Sequence, residues 1–295
     1  MAEAEVGITL QPEQAYLELL QPAFDDADYF EVAPETTWRV DRDGAWVPND
    51  YWRRFLEEGR SRGKPFVAHA VLGSLGTAAA SDRDRQQRWL ARLAEDQEQF
   101  AYRWITDHLG ASVLGEHALA LPIALPMDDA AADLVRERLV ALQQVAPDAG
   151  FENSAFYFLL GDWRDEPAFF ERILSAPRTH LLLDLHNVYT NAQNLGFDAR
   201  DYLDRLDLSR VIEVHVSGGV DSPPEWLPGG ATRRLDSHDA AVPDEVWELL
   251  PLVLPRCRNL RGVTLERMEG TVGERDVDDV RGELRRIREV LRATR

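Results

Sequence analysis

The chain has 295 residues, 44% hydrophobic and 29% charged, which is typical of a packed globular protein and excludes a collagen-like or wholly disordered chain. Its 33 basic residues stand against 52 acidic ones, and the net charge of −19 disfavours nucleic acid or an anionic membrane as a partner. The single cysteine, Cys257, excludes an intramolecular disulfide and a cysteine-based zinc cluster, and we interpret it as a bystander thiol.

The N-terminal segment, MAEAEVGITLQPEQ, lacks the basic and apolar parts of a signal peptide. No apolar run reaches the ~18 residues that a membrane span needs. We therefore expect a cytoplasmic protein without a membrane partner, and reducing conditions there agree with the low cysteine content.

Short runs rich in β-forming residues recur along the chain, and several of them are continuously apolar, as in parallel strands that are covered on both faces. The predicted strands are residues 6–10, 29–33, 66–71, 104–109, 150–156, 180–186, 211–217 and 261–267. Longer amphipathic stretches between them predict helices, and the last, 274–294, has apolar residues at helical spacing. Eight strands alternating with helices predict an α/β (β/α)8 TIM barrel that forms a single domain over residues 1–295, with a doubly wound open sheet as the alternative.

Two segments do not fit a regular alternation. The apolar run at 118–125 predicts an additional strand within a loop that connects a barrel strand to the next helix. The stretch 218–235 is rich in Gly and Pro and predicts a loop near the candidate chemistry. Such a loop is either a wall or lid of the substrate site or an ordinary surface excursion.

Metal-ligating residue types stand at the C-terminal ends of the predicted strands, where active sites of TIM barrels are built. These residues are His69, Asp107, His108, Glu152, Asn153, Asp184, His186, Asn187, Glu213, His215, Asp236, His238, Asp239 and Glu266. His117 does not belong to this set, and His180 starts a strand at the opposite rim, where we expect a structural or solvent-facing role.

So many carboxylates would repel one another unless a cation lay among them, because burying an unpaired charge is costly. Imidazoles interleaved with carboxylates favour iron, zinc or manganese, and the absence of cysteine ligands disfavours a structural zinc. The number of candidate ligands exceeds what one ion can use, so the pattern predicts two or three metal ions.

The segments that carry these residues resemble the multinuclear non-heme iron-dependent oxidative enzymes (MNIOs), TIM-barrel proteins that modify ribosomally made peptides. The segment LLDLHNVYTNAQNLGFD (182–198) resembles the family's L-L-D-x-N-N-V-Y-x-N-A-x-N-x-G-F-D, and DSHDAAVPDEVW (236–247) resembles D-T-H-D-x-x-V-P-x-x-V-W. Weaker resemblances are FEVAPETTW (30–38), AHAVLGSLG (68–76), TDHL (106–109), FENSAFYFL (151–159) and EVHVSGG (213–219). The resemblance covers roughly residues 6 to 267.

The chain departs from the family pattern at several positions. His186 stands where the D-x-N-N segment has its first Asn, and Gly219 stands where the E-[IV]-H-x-[AS]-G-H motif ends in His. Ala70 and Leu72 replace small residues beside His69, and Thr36 replaces an Asn. These departures bear on the number of metal ions and on the substrate pocket.

The resemblance implies nine metal ligands, with Glu152 and Glu266 as the best candidates to bridge two ions. They are His69, His108, Glu152, Asp184, Asn187, His215, Asp236, His238 and Glu266. His186 is then an added ligand or a hydrogen-bond donor to one. Asp107 would orient His108 or another ligand, and Asp239 would contact the substrate.

The resemblance further implies two or three iron ions of mixed valence, Fe2+ and Fe3+, with O2 as a co-substrate. The substrate would be a precursor peptide, modified at a Cys or at an Asp or Asn side chain. A separate partner protein would bind the leader part of that peptide.

Two alternatives stay open. Zinc-dependent abasic-site endonucleases and xylose-isomerase-like sugar enzymes are similar in their barrel and ligand order, so a metal-dependent hydrolase or isomerase is the second hypothesis. The net charge of −19 and Asn187 disfavour the endonuclease version. A non-catalytic metal-binding barrel is the third, and the full set of candidate ligands disfavours it.

Overall fold

The computed structural model describes residues 4–115 and 117–294. Its strands are β1 (Glu5–Leu10), β2 (Tyr29–Val32), β3 (Trp38–Val40), β4 (Trp46–Pro48), β5 (Phe66–Ala70), β6 (Ile105–His108), β7 (Ala111–Leu114), β8 (His117–Ile123), β9 (Ala149–Glu152), β10 (Thr179–Asp184), β11 (Val211–Val216) and β12 (Gly262–Leu265). Its α-helices are α1 (Gln14–Leu19), α2 (Gln21–Asp26), α3 (Asp50–Arg62), α4 (Arg83–Phe100), α5 (Asp129–Leu142), α6 (Glu166–Ile173), α7 (Leu185–Leu195), α8 (Ala199–Arg205), α9 (Asp244–Val253) and α10 (Val277–Ala293).

Eight of these strands close into a barrel in the order β1-β12-β11-β10-β9-β6-β5-β2, which confirms the predicted α/β barrel. The remaining strands form two antiparallel pairs, β3 with β4 and β7 with β8. The second pair confirms the additional strand expected at 118–125. Within the described residues, no helix is long and apolar enough to cross a membrane.

The chain divides into two compact units. The first contains the described parts of residues 1–27, 155–158 and 183–295, and the second those of 28–154 and 159–182. In the first unit, β12 pairs in parallel with both β1 and β11, and outward-facing Val263 and Leu265 are buried. Helix α10 contributes Val280, Leu284 and Ile287 to the core of this unit, as its apolar spacing predicts.

In the second unit, β5 pairs in parallel with β2 and β6, and β9 pairs in parallel with β6 and β10. Its core is aromatic: the ring of Phe100 lies 5.0 Å from that of Phe66 and 5.2 Å from that of Tyr102. Helix α3 begins at an Asn49 cap that accepts the backbone N–H of Tyr51 at 2.9 Å, so a polar signal fixes its start.

Three predicted strands run two or more residues past the observed C-terminal ends. Strand β9 ends at Glu152 although the prediction runs to 156, and β10 ends at Asp184 although the prediction runs to 186. The second difference has a physical cause. The carboxylate of Asp184 accepts the backbone N–H of Asn187 at 2.6 Å and thereby caps helix α7, which starts at once. His186 and Asn187 are therefore helix residues. The third, at 261–267, ends at Leu265, before Glu266.

Candidate metal centre

Three predicted ligands meet in the second unit, and we name them the β5–β9 group: His69, His108 and Glu152. The strand register explains why they meet, since β6 pairs His108 with Glu152 and pairs Thr106 with His69. The two imidazole rings lie 4.6 Å apart. One carboxylate oxygen of Glu152 lies 3.5 Å from Nε2 of His69 and 3.3 Å from Nε2 of His108.

Strand alternation decides which β6 side chains reach this group. Thr106 and His108 are two residues apart and share a face, whereas Asp107 points to the opposite face. The Thr106 hydroxyl lies 2.9 Å from Nδ1 of His69 and so orients that ring with its Nε2 toward Glu152. Asp107 accepts the backbone N–H of His108 at 2.8 Å, and its other oxygen faces Gly73.

Four further predicted ligands meet in the first unit, and we name them the β11–β12 group: His215, Asp236, His238 and Glu266. Nδ1 of His215 lies 3.0 Å from a carboxylate oxygen of Glu266, and Nε2 of His238 lies 3.7 Å from the same oxygen. The register pairs His215 with Thr264, and Glu266 follows Thr264 by two residues, on the same face. Ligand atoms of Asp184, His215 and Glu266 lie within 4.8 Å of one another.

Asp236 and His238 come from a loop, and hydrogen bonds at both ends hold that loop in place. The N–H of Asp236 donates to the hydroxyl of Tyr157 at 3.2 Å, and the carbonyl of His238 accepts the N–H of Met268 at 3.0 Å. His238 has a φ of 51°, an uncommon left-handed conformation that turns its side chain back toward Asp236. Nε2 of His238 lies 2.7 Å from Oδ1 of Asp236.

Helix α7 brings two more predicted residues to the first unit. Both His186 and Asn187 are buried, in the first turn of the helix that Asp184 caps. Nδ1 of His186 lies 3.5 Å from Oδ1 of Asp236, so His186 lies beside the β11–β12 group.

Asp239, which was expected from the sequence to contact the substrate, is exposed. Its carboxylate accepts a hydrogen bond from the hydroxyl of Ser237 at 2.6 Å. The hydroxyl oxygen of Ser237 in turn accepts the N–H of Val220 at 3.2 Å. Through Ser237, Asp239 thus connects the loop that carries Asp236 and His238 to the Gly- and Pro-rich segment 218–235. That segment folds back on itself, with Asp221 paired to Arg234, and Asn194 of α7 makes two hydrogen bonds with the backbone of Arg234.

The pKa shifts in the first unit indicate that its buried carboxylates lie close enough to repel one another. Burial raises the pKa of Asp184 well above its usual value, and the neighbouring Glu266 and Asp236 carboxylates raise it further. Burial alone would raise the pKa of Asp236 and lower that of His238, but the attraction between these two groups, together with that of His186 for Asp236 and of Glu266 for His238, outweighs burial. The pKa of Asp236 is therefore held below its usual range and that of His238 well above it.

The residues present fit a metal ion. Among the described residues, Oδ1 of Asp236, Nε2 of His238 and both ring nitrogens of His186 are buried without an aligned hydrogen-bond partner. Polar atoms in this condition are rare in folded proteins because desolvation is costly. Ligand atoms of Asp184, His215 and Glu266 are close enough to one another to share an ion. The donor set of imidazole and carboxylate suits iron, manganese or zinc.

A model of the family described as "RiPP precursor modification enzyme MbnB/TglH/ChrH" matches residues 5–292. The chain belongs to this family. RiPPs are ribosomally made peptides that are modified after translation, and the MbnB/TglH/ChrH family consists of enzymes that modify their precursors. The resemblance drawn from the LLDLHNVYTNA and DSHDAAVP segments is thereby confirmed.

Relatives with similar sequences carry the designation UPF0276. One, from Pseudomonas aeruginosa strain UCBPP-PA14, is 31% identical over 241 residues, which cover 81% of this chain and 77% of the relative. Another, from Rhizorhabdus wittichii, is 32% identical over 205 residues, which cover 69% of each chain.

Solved structures show the same barrel at low sequence identity. A xylose isomerase domain protein from Planctomyces limnophilus has a TM-score of 0.59 at 12% identity, covering 100% of this chain and 98% of that one. Endonuclease IV from Thermus thermophilus has a TM-score of 0.53 at 19% identity, covering 98% and 99%. At these identities the likeness establishes the fold alone.

Two residues at the site were not singled out from the sequence. Thr106 stands two positions before His108, and strand alternation alone indicates that both face the same side. Tyr157 lies in a segment between strands, and its contact with Asp236 spans 79 residues, so no local pattern indicates it.

Proposed function

We propose that the protein uses iron and dioxygen to oxidise a side chain of a ribosomally made precursor peptide. The observation that carries the proposal is the β5–β9 group. Two imidazoles and one carboxylate within 4.8 Å of one another are the donor set of non-heme iron oxygenases, and such a set leaves coordination positions open. Bound iron would supply the redox chemistry that links dioxygen to the substrate.

The β11–β12 group supports a second iron ion. It offers two imidazoles and two carboxylates, and Asp184 and Asn187 add oxygen donors at the start of α7. Each buried acid would be neutralised by an ion bound among them, which removes the repulsion that raises the pKa of Asp184. The nine predicted ligands are accordingly proposed as the residues that hold two or three iron ions.

Other residues near the site are proposed to orient the metal ligands and to exclude water. Thr106 orients His69, and Asp107 holds the backbone at His108, so that the imidazoles are directed before a substrate arrives. Segment 218–235 presents Trp226, which is 65% exposed, and we propose that it contacts the peptide and excludes water when it is bound. Asp239 is proposed to position this segment through Ser237 and, with a bound peptide, to contact it.

The modified side chain is proposed to be a Cys, Asp or Asn. Thiolate, carboxylate and amide oxygen can each occupy an open iron position, and an anionic ligand makes ferrous iron easier to oxidise. We further propose that a separate protein presents the leader part of the precursor. The family implies a precursor peptide as substrate.

The test uses the full chain purified without oxygen and loaded with Fe2+. We expect two or three iron ions per chain by elemental analysis and Mössbauer spectroscopy. With a candidate precursor peptide and its partner, we expect oxygen uptake and a mass change in the peptide that both require air. Equal conversion under strict anaerobiosis would reject the oxidative reaction and favour a hydrolase or isomerase. Stoichiometric zinc in an enzyme that iron cannot activate would reject iron.

A further inference from the structure

The peptide group that joins Ala70 to Val71 is hydrogen-bonded on both sides, at the point where β5 ends. Its N–H donates to Oε2 of Glu35 at 3.3 Å, and its carbonyl oxygen lies 3.3 Å from Nδ1 of His108. A carbonyl oxygen can only accept a hydrogen bond, so Nδ1 of His108 is the ring nitrogen that carries the proton. Nε2 is left with its lone pair and lies 3.3 Å from a carboxylate oxygen of Glu152. This peptide group therefore sets the tautomer that a metal ligand at Nε2 requires.

Glu35 holds two further donors besides the N–H of Val71. Its side chain comes from the short 3-10 helix Pro34–Thr37 that follows β2, the neighbour of β5 in the barrel. Oε1 accepts the backbone N–H of Leu72 at 3.0 Å and the indole N–H of Trp89 at 2.8 Å. Trp89 is buried in helix α4, so the carboxylate is anchored from its far side as well. Three donors thus fix the carboxylate, and the carboxylate fixes the chain as it leaves β5.

The two imidazoles of the β5–β9 group are oriented by different means. The hydroxyl of Thr106, on the adjacent strand, lies 2.9 Å from Nδ1 of His69 and orients that ring directly. His108 instead relies on the carbonyl of Ala70, the last residue of β5. Because the strand ends there, the orientation of this peptide group depends on the side chain that binds its N–H, and that side chain is Glu35.

We propose that Glu35 is a positioning residue of the candidate metal centre, which orients the imidazole of His108 toward the ion of the β5–β9 group by fixing the Ala70–Val71 peptide group. The inference rests on the proposed function in that it requires a metal ion at this group. Glu35 does not bind the ion itself, because both of its oxygens already accept N–H groups.

The test is an anaerobic titration of the full chain with Fe2+, followed by Mössbauer spectroscopy, on the wild type, Glu35→Gln and Glu35→Ala. The alanine variant loses all three hydrogen bonds, whereas the glutamine variant keeps an oxygen for Leu72 and Trp89. We expect Glu35→Ala to bind one ion about 10–100-fold more weakly, the usual cost of losing a contact that orients a metal ligand. The quadrupole splitting of that iron should also change. Glu35→Gln should lie between the alanine variant and the wild type in both measurements.

Asp96→Asn and Asp96→Ala are the matched controls, because Asp96 is a carboxylate of the same unit that also accepts indole N–H groups. Its partners are Trp38 at 2.6 Å, Trp52 at 2.7 Å and Arg92, none of which is on β5 or β6. We expect the controls to lower the midpoint of urea unfolding, as the Glu35 variants do, but to leave Fe2+ affinity and the Mössbauer spectrum as in the wild type. Unchanged affinity and spectrum in both Glu35 variants would overturn this inference and leave the proposed function intact.

Hydrogen exchange in the wild-type chain gives a second readout that needs no variant. We expect the amides of Val71 and Leu72 to be protected in the metal-free chain as well as in the Fe2+-loaded one, because Glu35 binds both. Free exchange of both amides until metal is added would show that the ion orders this segment, and it would overturn the inference. A wild-type chain that binds neither Fe2+ nor Zn2+ would overturn the proposed function itself.

Discussion

Glu283 of helix α10 supports the loop that carries Asp236 and His238, and its removal should be costly. One carboxylate oxygen accepts the N–H of Val242 at 2.8 Å, and the other accepts a hydrogen bond from Arg267 at 2.8 Å. Glu283 and Arg267 are both buried. The pair therefore connects Val242, at the end of the loop that carries Asp236 and His238, to the residue that follows Glu266.

The expected loss in the free energy of unfolding depends on which buried groups each substitution leaves without a partner. Glu283→Ala leaves the buried guanidinium of Arg267 without its carboxylate partner, and breaking a buried ion pair costs about 3–5 kcal/mol. It also leaves the N–H of Val242 without its acceptor, at about 1–3 kcal/mol. The two costs overlap because the cavity admits water, so we expect a loss of about 3–5 kcal/mol in the free energy of unfolding. Arg267→Met should cost about 2–4 kcal/mol, since Glu283 keeps its backbone contact.

The assay is a double-mutant cycle by urea denaturation of the metal-free chain at pH 7. Replacing both partners, as in Arg267→Met with Glu283→Ala, removes both charges, so its cost should fall short of the sum of the single costs by about 2 kcal/mol or more. Asp133→Ala, which breaks an exposed pair with Arg136, is the control and should change stability by less than about 1 kcal/mol. Additive costs, or an equal effect in the control, would refute the reasoning. Affinity for Fe2+ should fall in Glu283→Ala more than in the control.

Three further predictions concern the site, the backbone and the thiol. His215→Ala and Asp236→Ala should each lower metal content and abolish turnover with the far-ultraviolet circular dichroism unchanged, and global unfolding would show that these residues are structural. Gly218→Ala should destabilise the chain, because its Cβ would lie 2.1 Å from a backbone carbonyl oxygen, whereas Gly282→Ala in α10, with 3.9 Å to its nearest neighbour, should stabilise it by about 0.5–1 kcal/mol in thermal unfolding. Burial raises the pKa of Cys257 to about 12, so at pH 8 about one thiol in ten thousand is ionised and alkylation should be slow until urea unfolds the chain. Rapid alkylation of the native chain would contradict this assignment.

The barrel and much of the site were predictable because strand alternation needs only local information. The segments ending in EVH and TLE place His215 and Glu266 on the inner face of adjacent strands, and the structure finds them 3.0 Å apart. Alternation applied to TDH would also have placed Asp107 on the opposite face from His108. The expectation for Cys257 rested on composition alone, and the structure shows that the thiol is buried.

Helix α7 was harder to predict from its sequence. The segment LHNVYTNAQN contains three Asn and one Thr, residue types of low helix propensity, so intrinsic propensity does not indicate a helix there. The helix forms because Asp184 caps it at the end of a buried strand and because Leu185, Val188 and Ala192 are buried at helical spacing. Tertiary packing thus overrides propensity at this point.

The same override explains why the position of His186 could not be predicted from sequence. In an extended strand, positions 184 and 186 would project to the same face and compete for the same place. In a capped helix, successive side chains are turned by about 100°, so Asp184 can cap the helix while His186 projects toward Asp236. The strand-to-helix transition at Leu185 therefore places the carboxylate of Asp184, the imidazole of His186 and the amide of Asn187 at the start of one helix. We expect substitutions that shift the start of α7 to alter metal binding before they alter the barrel, because the proposed ligands Asp184 and Asn187 lie at that start.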